Sequence, residues 1–164
     1  MATTALGGNP VNTVGDLPSI GSSPSFTLTK ADLSDLTPAD LAGKKVLLNI
    51  FPSVDTPTCA ASVRAFNQRA AALDNTVVIN VSADLPFAQG RFCAAEGIAD
   101  VSNASTFRSD FGQTWGLTLA EGKLAGLLAR AVVVLDESGT VTYSQLVPEI
   151  AQEPDYESAI AALG

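Results

Sequence analysis

The hydrophobic residues of this chain fall into short apolar runs, separated by polar turns and by segments with the spacing of a helix. Residues 45–51 and 76–82 are apolar runs that predict buried strands, because they are short and bounded by turn residues. Between them, one predicted helical face runs from the start of a helix at Pro57 to its end near Leu73: Cys59, Val63, Phe66, Ala70 and Leu73. A strand, a helix and a strand in this order predict parallel strands, whose carboxyl ends lie at one edge of the sheet.

Weaker patterns place further elements on both sides of this unit. Residues 1–25 are rich in Gly and Pro, which predicts a structured N-terminal extension with a strand at 11–14. The order predicts an α/β chain with a thioredoxin-like fold, a central mixed sheet flanked by helices, in one domain over residues 1–164. The other predicted elements are short strands at 26–28, 32–36 and 101–102, a helical turn at 38–41, a helix at 84–95 ended by Gly97, a weaker helix that turns Phe107, Phe111 and Trp115 to the core, a loop at 117–128, antiparallel strands at 130–135 and 140–146, and a helix at 154–163.

The composition excludes several classes of function. Hydrophobic residues make up 46% of the 164 residues, which is ample for one core. The net charge of −8 opposes binding to nucleic acid or to an anionic membrane surface. No apolar run is long enough to cross a bilayer, and residues 1–10 lack the pattern of a secretory signal, so we expect a soluble cytoplasmic protein. Histidine is absent, which removes the usual general base and the commonest metal ligand.

The turn between the first buried strand and the helix carries the strongest chemical signal. Pro52 ends the strand, Thr56 is a good helix N-cap, and Pro57 suits the first helical position. Cys59 therefore lies in the first helical turn, where unpaired backbone N–H groups and the positive end of the helix dipole favour the reactive thiolate. The Thr56 hydroxyl and these N–H groups can surround a small oxygen-containing ligand.

Arg130 begins the buried strand at 130–135, and a buried guanidinium is costly unless it is paired or faces an anion. It can stabilise a thiolate and polarise an O–O bond. Taken alone, each residue also has a plainer interpretation: a structural ion pair for Arg130, and core packing for Cys59 and for Cys93 on the second helix. Position 56 is Thr, so no C-x-x-C redox pair exists, and two cysteines without histidine cannot form a four-ligand zinc site.

The motif Pro52-x-x-x-Thr56-x-x-Cys59 resembles the signature of the peroxiredoxins, and residues 51–66 and 127–135 resemble their thiol peroxidase subfamily in particular. The similarity covers nearly the whole chain, because it extends to these segments: 9–17, 84–89, 91–93, 149–150 and 153–157. We find no departure at a position that the family uses for catalysis.

The resemblance implies a thioredoxin-dependent peroxidase that acts on hydrogen peroxide and on alkyl or lipid hydroperoxides. It implies that Cys59 is the peroxidatic cysteine, that Thr56 and Arg130 bind and polarise the peroxide, and that Pro52 shields the sulfenic acid. It makes Cys93 the resolving cysteine, which forms an intramolecular disulfide with Cys59 that thioredoxin reduces. It also implies a homodimer that uses no metal or other cofactor. Apolar residues such as Phe51 and the segment 124–128 can line a site for organic hydroperoxides.

Two other functions compete with this one. The cysteine pair can serve as a peroxide-responsive switch without efficient turnover, although a switch needs only two thiols and not the polarising groups of Thr56 and Arg130. A structural disulfide in an exported protein is disfavoured by the missing signal pattern. The two cysteines lie on different predicted helices, so a bridge between them requires local unwinding.

Overall fold

The computed structural model describes residues 1–70 and 73–164, and it confirms the α/β class, with a mixed sheet flanked by helices. None of the helices in these ranges is long and apolar enough to span a membrane. The strands are β1 (Thr3–Leu6), β2 (Asn9–Asn12), β3 (Leu28–Lys30), β4 (Asp35–Leu36), β5 (Lys45–Ile50), β6 (Thr76–Ser82), β7 (Ser102–Ser105), β8 (Ala131–Leu135) and β9 (Val141–Leu146). The helices are α1 (Pro57–Arg69), α2 (Pro86–Glu96), α3 (Phe111–Thr114) and α4 (Tyr156–Ala161), with a 3-10 turn at Pro38–Leu41.

The main sheet has the strand order β4-β3-β7-β6-β5-β8-β9. Strands β5, β6 and β7 are parallel neighbours, and β8 pairs with β5 in the antiparallel sense, as does β9 with β8. The predicted parallel unit and the predicted antiparallel pair are therefore both confirmed. The turn after β5 and the residues after β6 consequently meet at one sheet edge, where Cys59 lies.

Successive side chains of the central strands point to opposite faces of the sheet, and each face packs in a separate hydrophobic core. On one face, Leu47 of β5 and Val132 of β8 pack with Phe66 of α1, and α4 adds to this cluster. On the other face, Leu48 of β5 packs in a larger cluster with Trp115 and the N-terminal residues. Full burial of one such side chain stabilises the fold by about 1.5–3 kcal/mol. A shift of one residue along a strand would expose all of its buried side chains, so the alternation determines which face of the sheet each residue takes.

Helix α1 is shorter than the apolar repeat predicts. Cys59, Val63, Phe66 and Ala70 are fully buried on the predicted face, but the helix ends at Arg69 and Leu73 is 39% exposed. The chain then turns at Asn75, which has φ 53°, before it enters β6. Residues 71 and 72, where we expected the helix to continue, lie outside the described residues. Helix α2, in contrast, ends as predicted at Gly97, which has the left-handed conformation of a C-cap.

The predicted stripe of three aromatic residues in the third helix is only partly correct. Phe111 and Trp115 are buried, but Phe107 is 44% exposed and precedes the helix. A turn in which Ser109 N donates to the Thr106 carbonyl delays the helix until Phe111. Phe107 instead lies beneath the guanidinium of Arg108, 5.7 Å from the ring centroid.

The N-terminal extension is a hairpin of β1 and β2 that packs on the main sheet. The Thr4 hydroxyl donates to the Val147 carbonyl at 2.8 Å, and Ile150 N donates to the Ala5 carbonyl at the same distance. Val11 belongs to the larger core cluster. The extension therefore contacts the core and the turn after β9, while the division of the chain into one domain over residues 1–164 stays a prediction.

Candidate active site

The turn between β5 and α1 has the predicted helix start. Thr56 is the N-cap, with extended backbone angles of φ −96° and ψ 145°, and Pro57 is the first helical residue. The Thr56 Oγ1 accepts a hydrogen bond from Cys59 N at 3.4 Å and donates to the Ser53 carbonyl at 3.2 Å. This arrangement holds Cys59 in the first turn, with its sulfur at the positive end of the helix.

Asp84 fixes the same turn to the end of β6. Its carboxylate accepts hydrogen bonds from the Ser53 hydroxyl at 2.8 Å and from Val54 N at 2.9 Å, and it also accepts from the Ser82 hydroxyl at 2.7 Å. Sequence reasoning missed this role. The signal was present, because Asp84 follows β6 directly and the residues after two parallel strands share one sheet edge.

Arg130 lies against Cys59, although the two residues are 71 positions apart in the chain. Its Nη2 donates to the Cys59 Sγ at 3.2 Å, and the side chain is only 2% exposed. Its Nη1 is buried and has no hydrogen-bond partner among the described residues. A buried donor without a partner costs about 1–3 kcal/mol, so this group is suited to a ligand that supplies an acceptor.

The turn after β9 orients the guanidinium of Arg130. Arg130 Nε donates to the Ile150 carbonyl at 2.7 Å, and the Thr58 hydroxyl donates to the Ala151 carbonyl at 3.1 Å. Glu149 organises this turn, because its side chain accepts hydrogen bonds from Ala151 N and from Gly8 N of the N-terminal hairpin. These two bonds hold the pKa of Glu149 below its usual value. Glu149 and Ile150 entered the sequence analysis only through the family resemblance, since nothing in their local pattern marks them as neighbours of Arg130.

The reactive sulfur is shielded from solvent, although Asp55 and Pro57 of the same turn are exposed. Cys59 and Phe51 have no exposed surface, Pro52 is buried, and the sulfur packs in a small apolar cluster that includes Val63. Phe51 belongs to the same small cluster as Cys59, and its role in a substrate site stays a prediction. The segment 124–128 does not belong to it, because Leu124 and Leu128 pack in the larger cluster on the other face of the sheet.

Cys93 lies on α2 and is 9% exposed. Both cysteines are free thiols, and each sulfur has a separate partner: Arg130 for Cys59, and the Asn103 Nδ2 at 3.2 Å for Cys93. An ion pair of 2.9 Å between Arg64 and Glu96 bridges α1 and α2. In residues 1–70 and 73–164, no cluster of three or more acidic, cysteine or histidine side chains is placed to hold a metal ion.

Comparisons with known proteins find relatives along nearly the whole chain. The family model described as Redoxin matches residues 19–160. A protein of Mycobacterium bovis named thiol peroxidase is 60% identical over 100% of this chain and 99% of its own length. A thiol peroxidase of Corynebacterium glutamicum is 53% identical over 99% of both chains. The crystal structure of a peroxiredoxin-like protein from Aquifex aeolicus superposes with a TM-score of 0.91 at 38% identity, covering 99% of this chain and 96% of that one, which confirms the predicted thioredoxin-like fold.

Proposed function

This chain belongs to the Redoxin family and, within it, to the thiol peroxidases of the peroxiredoxin group, and from that premise we propose how its residues reduce a hydroperoxide. The reaction has two chemical steps, one at each cysteine. We assign these roles: Cys59 as the peroxidatic cysteine, Cys93 as the resolving cysteine, Thr56 and Arg130 as the groups that bind and polarise the peroxide, Pro52 as the shield of the oxidised sulfur, and Phe51 as an apolar wall of the substrate site.

In the first step, the Cys59 thiolate attacks one oxygen of the hydroperoxide. An S–O bond forms, the O–O bond breaks, and the leaving alkoxide takes a proton to become the alcohol, while Cys59 becomes a sulfenic acid. Arg130 favours the thiolate through the 3.2 Å contact of its Nη2 with the sulfur. The unpartnered Nη1 can donate to the peroxide oxygens as negative charge develops on them, and this buried donor is the observation that carries the proposal.

In the second step, the Cys93 thiolate attacks the Cys59 sulfur. An S–S bond forms, the S–O bond breaks, and the hydroxide that leaves takes a proton to become water. In the structure with free thiols, each sulfur is hydrogen-bonded to its own partner on a different element. Both sulfurs must leave those partners before the bond between them can form. We propose that the first turn of α1 and part of α2 unwind locally to bring the sulfurs within bonding distance.

Thioredoxin is the proposed reductant of the disulfide, and organic hydroperoxides together with hydrogen peroxide are the proposed substrates. The apolar cluster around Cys59, with Phe51 at its side, supports substrates that carry an alkyl chain. We propose a cytoplasmic location, because a reducing compartment keeps the thiols of such a cycle reduced. We also propose a homodimer, as the family resemblance implies.

The competing function is a peroxide-responsive switch that uses the same cysteine pair without efficient turnover. A switch needs two thiols but no donor aimed at the substrate, whereas Arg130 Nη1 is buried and lacks a partner among the described residues. This observation favours the enzyme.

Steady-state consumption of peroxide, with thioredoxin and its reductase, tests the assignment in wild type, Cys59→Ser and Cys93→Ser. We expect wild type to turn over, Cys59→Ser to be inactive, and Cys93→Ser to consume a single equivalent without thioredoxin-dependent turnover. Full activity in Cys59→Ser would contradict the assignment. Slow turnover in wild type, limited to a few cycles, would instead support the switch.

A further inference from the structure

Three asparagines stand side by side across the parallel part of the sheet. Asn49 of β5 is in register with Asn80 of β6, and Asn80 is in register with Asn103 of β7. Asn49 Nδ2 donates to Asn80 Oδ1 at 3.2 Å, and Asn80 Nδ2 donates to Asn103 Oδ1 at 3.2 Å. Asn49 and Asn80 have no exposed surface, and Asn103 is half-buried. These residues form an unbroken row of amides, called the amide ladder below.

The amide ladder connects the two helices that carry the cysteines. At one end, Asn49 Nδ2 donates to the Ser62 hydroxyl at 3.2 Å, and that hydroxyl donates to the Cys59 carbonyl at 2.8 Å. At the other end, Asn103 Nδ2 donates to the Cys93 Sγ at 3.2 Å. The row therefore starts at the first turns of α1 and ends on the second sulfur.

A row of buried amides lowers the stability of the fold if its only role is to hold the sheet together. Asparagine is disfavoured in strands, and a buried amide is stabilising only when its hydrogen bonds are made. Here the Oδ1 of Asn49 is buried and has no partner among the described residues, so the row is not fully satisfied. Apolar residues at the positions of Asn49 and Asn80 would pack the same sheet face without this cost.

The direction of the hydrogen bonds points to Cys93. Asn49 and Asn80 each donate to the amide of the next strand and Asn103 donates to the sulfur on α2, so each bond polarises the one that follows it. The last donor meets a sulfur, and an N–H donor stabilises a thiolate more strongly than a thiol because the bond is then charge-assisted. The sulfur of a nucleophilic cysteine reacts as the thiolate.

We propose that the amide ladder of Asn49, Asn80 and Asn103 orients Cys93 and stabilises its thiolate in the folded reduced protein, before local unwinding releases the sulfur to attack the Cys59 sulfenic acid, with Asn103 as the positioning residue. This inference rests on the proposed role of Cys93. In the second step the Cys93 thiolate forms the S–S bond while hydroxide leaves Cys59. Asn103 acts on this step by keeping Cys93 ready as the nucleophile until α2 opens, and it has no part in the attack of Cys59 on peroxide.

The isosteric variant Asn103→Asp tests the proposal. The new carboxylate still accepts from Asn80 Nδ2, but it presents an oxygen instead of an N–H group to the sulfur, which disfavours the thiolate. The matched control is Asn67→Asp, a half-buried asparagine of α1 whose Oδ1 accepts from Asp100 N at 3.1 Å and touches neither cysteine. Both changes add one negative charge and retain one accepted hydrogen bond.

The readout is the competition between resolution and over-oxidation. Reduced protein is mixed with rising concentrations of hydrogen peroxide, and mass spectrometry measures the ratio of Cys59 sulfinic acid to the disulfide. A hydrogen bond to a charged group changes an equilibrium constant by about tenfold or more. We therefore expect Asn103→Asp to form equal amounts of Cys59 sulfinic acid and disulfide at a peroxide concentration about tenfold lower than wild type. The rate of the first oxidation is expected to be unchanged, and Asn67→Asp is expected to behave as wild type. A wild-type ratio in Asn103→Asp overturns the proposal.

Two further measurements keep the result interpretable. In wild type, the side-chain amide protons of Asn103 are expected to be shifted downfield by NMR relative to Cys93→Ala, which needs no Asn103 variant to fold; identical shifts would overturn the proposal. Cys93→Ser tests the proposed function separately. If Cys93→Ser resists over-oxidation as wild type does, then Cys93 is not the resolving cysteine, whatever Asn103 does.

Discussion

Replacing Arg130 with lysine keeps a positive charge at the start of β8 but removes the fork of donors that the site uses. The guanidinium makes two contacts at once, with the Cys59 Sγ at 3.2 Å and with the Ile150 carbonyl at 2.7 Å, and its Nη1 has no partner in the part of the chain that the structure describes. A single ammonium group on a flexible stem cannot reproduce this geometry. Arg130→Met removes the charge as well and retains a side chain of similar length.

The expected loss follows from these contacts. A hydrogen bond to a charged group contributes about 1.5–3 kcal/mol, and loss of one preorganised donor to a developing charge costs about 10²–10³-fold in rate. Lysine retains the charge and one contact, so we expect kcat/KM for the hydroperoxide to fall about 100-fold in Arg130→Lys and about 1000-fold in Arg130→Met. Stability should change little in Arg130→Met. Removal of a partly unpartnered buried charge offsets the loss of the bond to the Ile150 carbonyl, so the free energy of unfolding should stay within about 2 kcal/mol of wild type.

Stopped-flow measurement of hydroperoxide consumption in the first oxidation step gives the rate for each variant. Arg108→Lys is the matched control, because Arg108 is a more exposed arginine that also bonds a backbone carbonyl, that of Leu33 at 2.7 Å, and pairs with Asp35. We expect this control to react as wild type. A rate for Arg130→Lys within about twofold of wild type would refute the assigned role of Arg130, since neither the sulfur contact nor the free donor would then contribute.

Three further predictions concern the surroundings of the site. Thr56→Val removes the hydroxyl that caps the helix, so it should lose about 1 kcal/mol of stability and most of the peroxidase rate. Thr56→Ser should retain both. Equal peroxidase rates in the two variants would contradict the role of the hydroxyl. Glu149→Gln should lower the urea midpoint of unfolding at about pH 7. Hydrogen bonds from Ala151 N and Gly8 N depress the pKa of Glu149 from 4.5, and their stabilisation is lost on protonation, so the difference in midpoint between variant and wild type should shrink as the pH falls below about 4.5. A difference that persists at low pH would contradict this cause. Amide exchange should lose protection in the first turn of α1 and in α2 when the disulfide forms, and unchanged protection in both would exclude local unwinding.

The local chemistry of the site could be predicted from the sequence because short-range rules govern it. Thr56 and Pro57 mark a helix start whatever the rest of the chain does, and Cys59 follows within the same turn. The placement of Arg130 was only half predictable. Its position at the start of a buried strand requires a compensating partner, but the identity of that partner depends on β8 lying beside β5 and on the turn at Ile150.

Longer-range features could not be predicted from the sequence, because they depend on strand register. The asparagines of the amide ladder are separated by 31 and 23 residues, and only the alignment of β5, β6 and β7 brings them into one row. The predicted aromatic stripe failed at Phe107 for a related reason. Helical spacing alone does not show where a helix begins, and the turn at Ser109 leaves Phe107 outside it.

Peptide mapping of the oxidised protein tests the central claim most directly. Reduced protein is treated with one equivalent of hydrogen peroxide without a reductant, digested under acidic conditions that prevent thiol exchange, and analysed by mass spectrometry. The account predicts one dominant product, a disulfide that joins the Cys59 peptide to the Cys93 peptide of the same chain. Cys59 oxidised to a sulfur acid beside a free Cys93 thiol, or two unmodified thiols with the peroxide unconsumed, would contradict it.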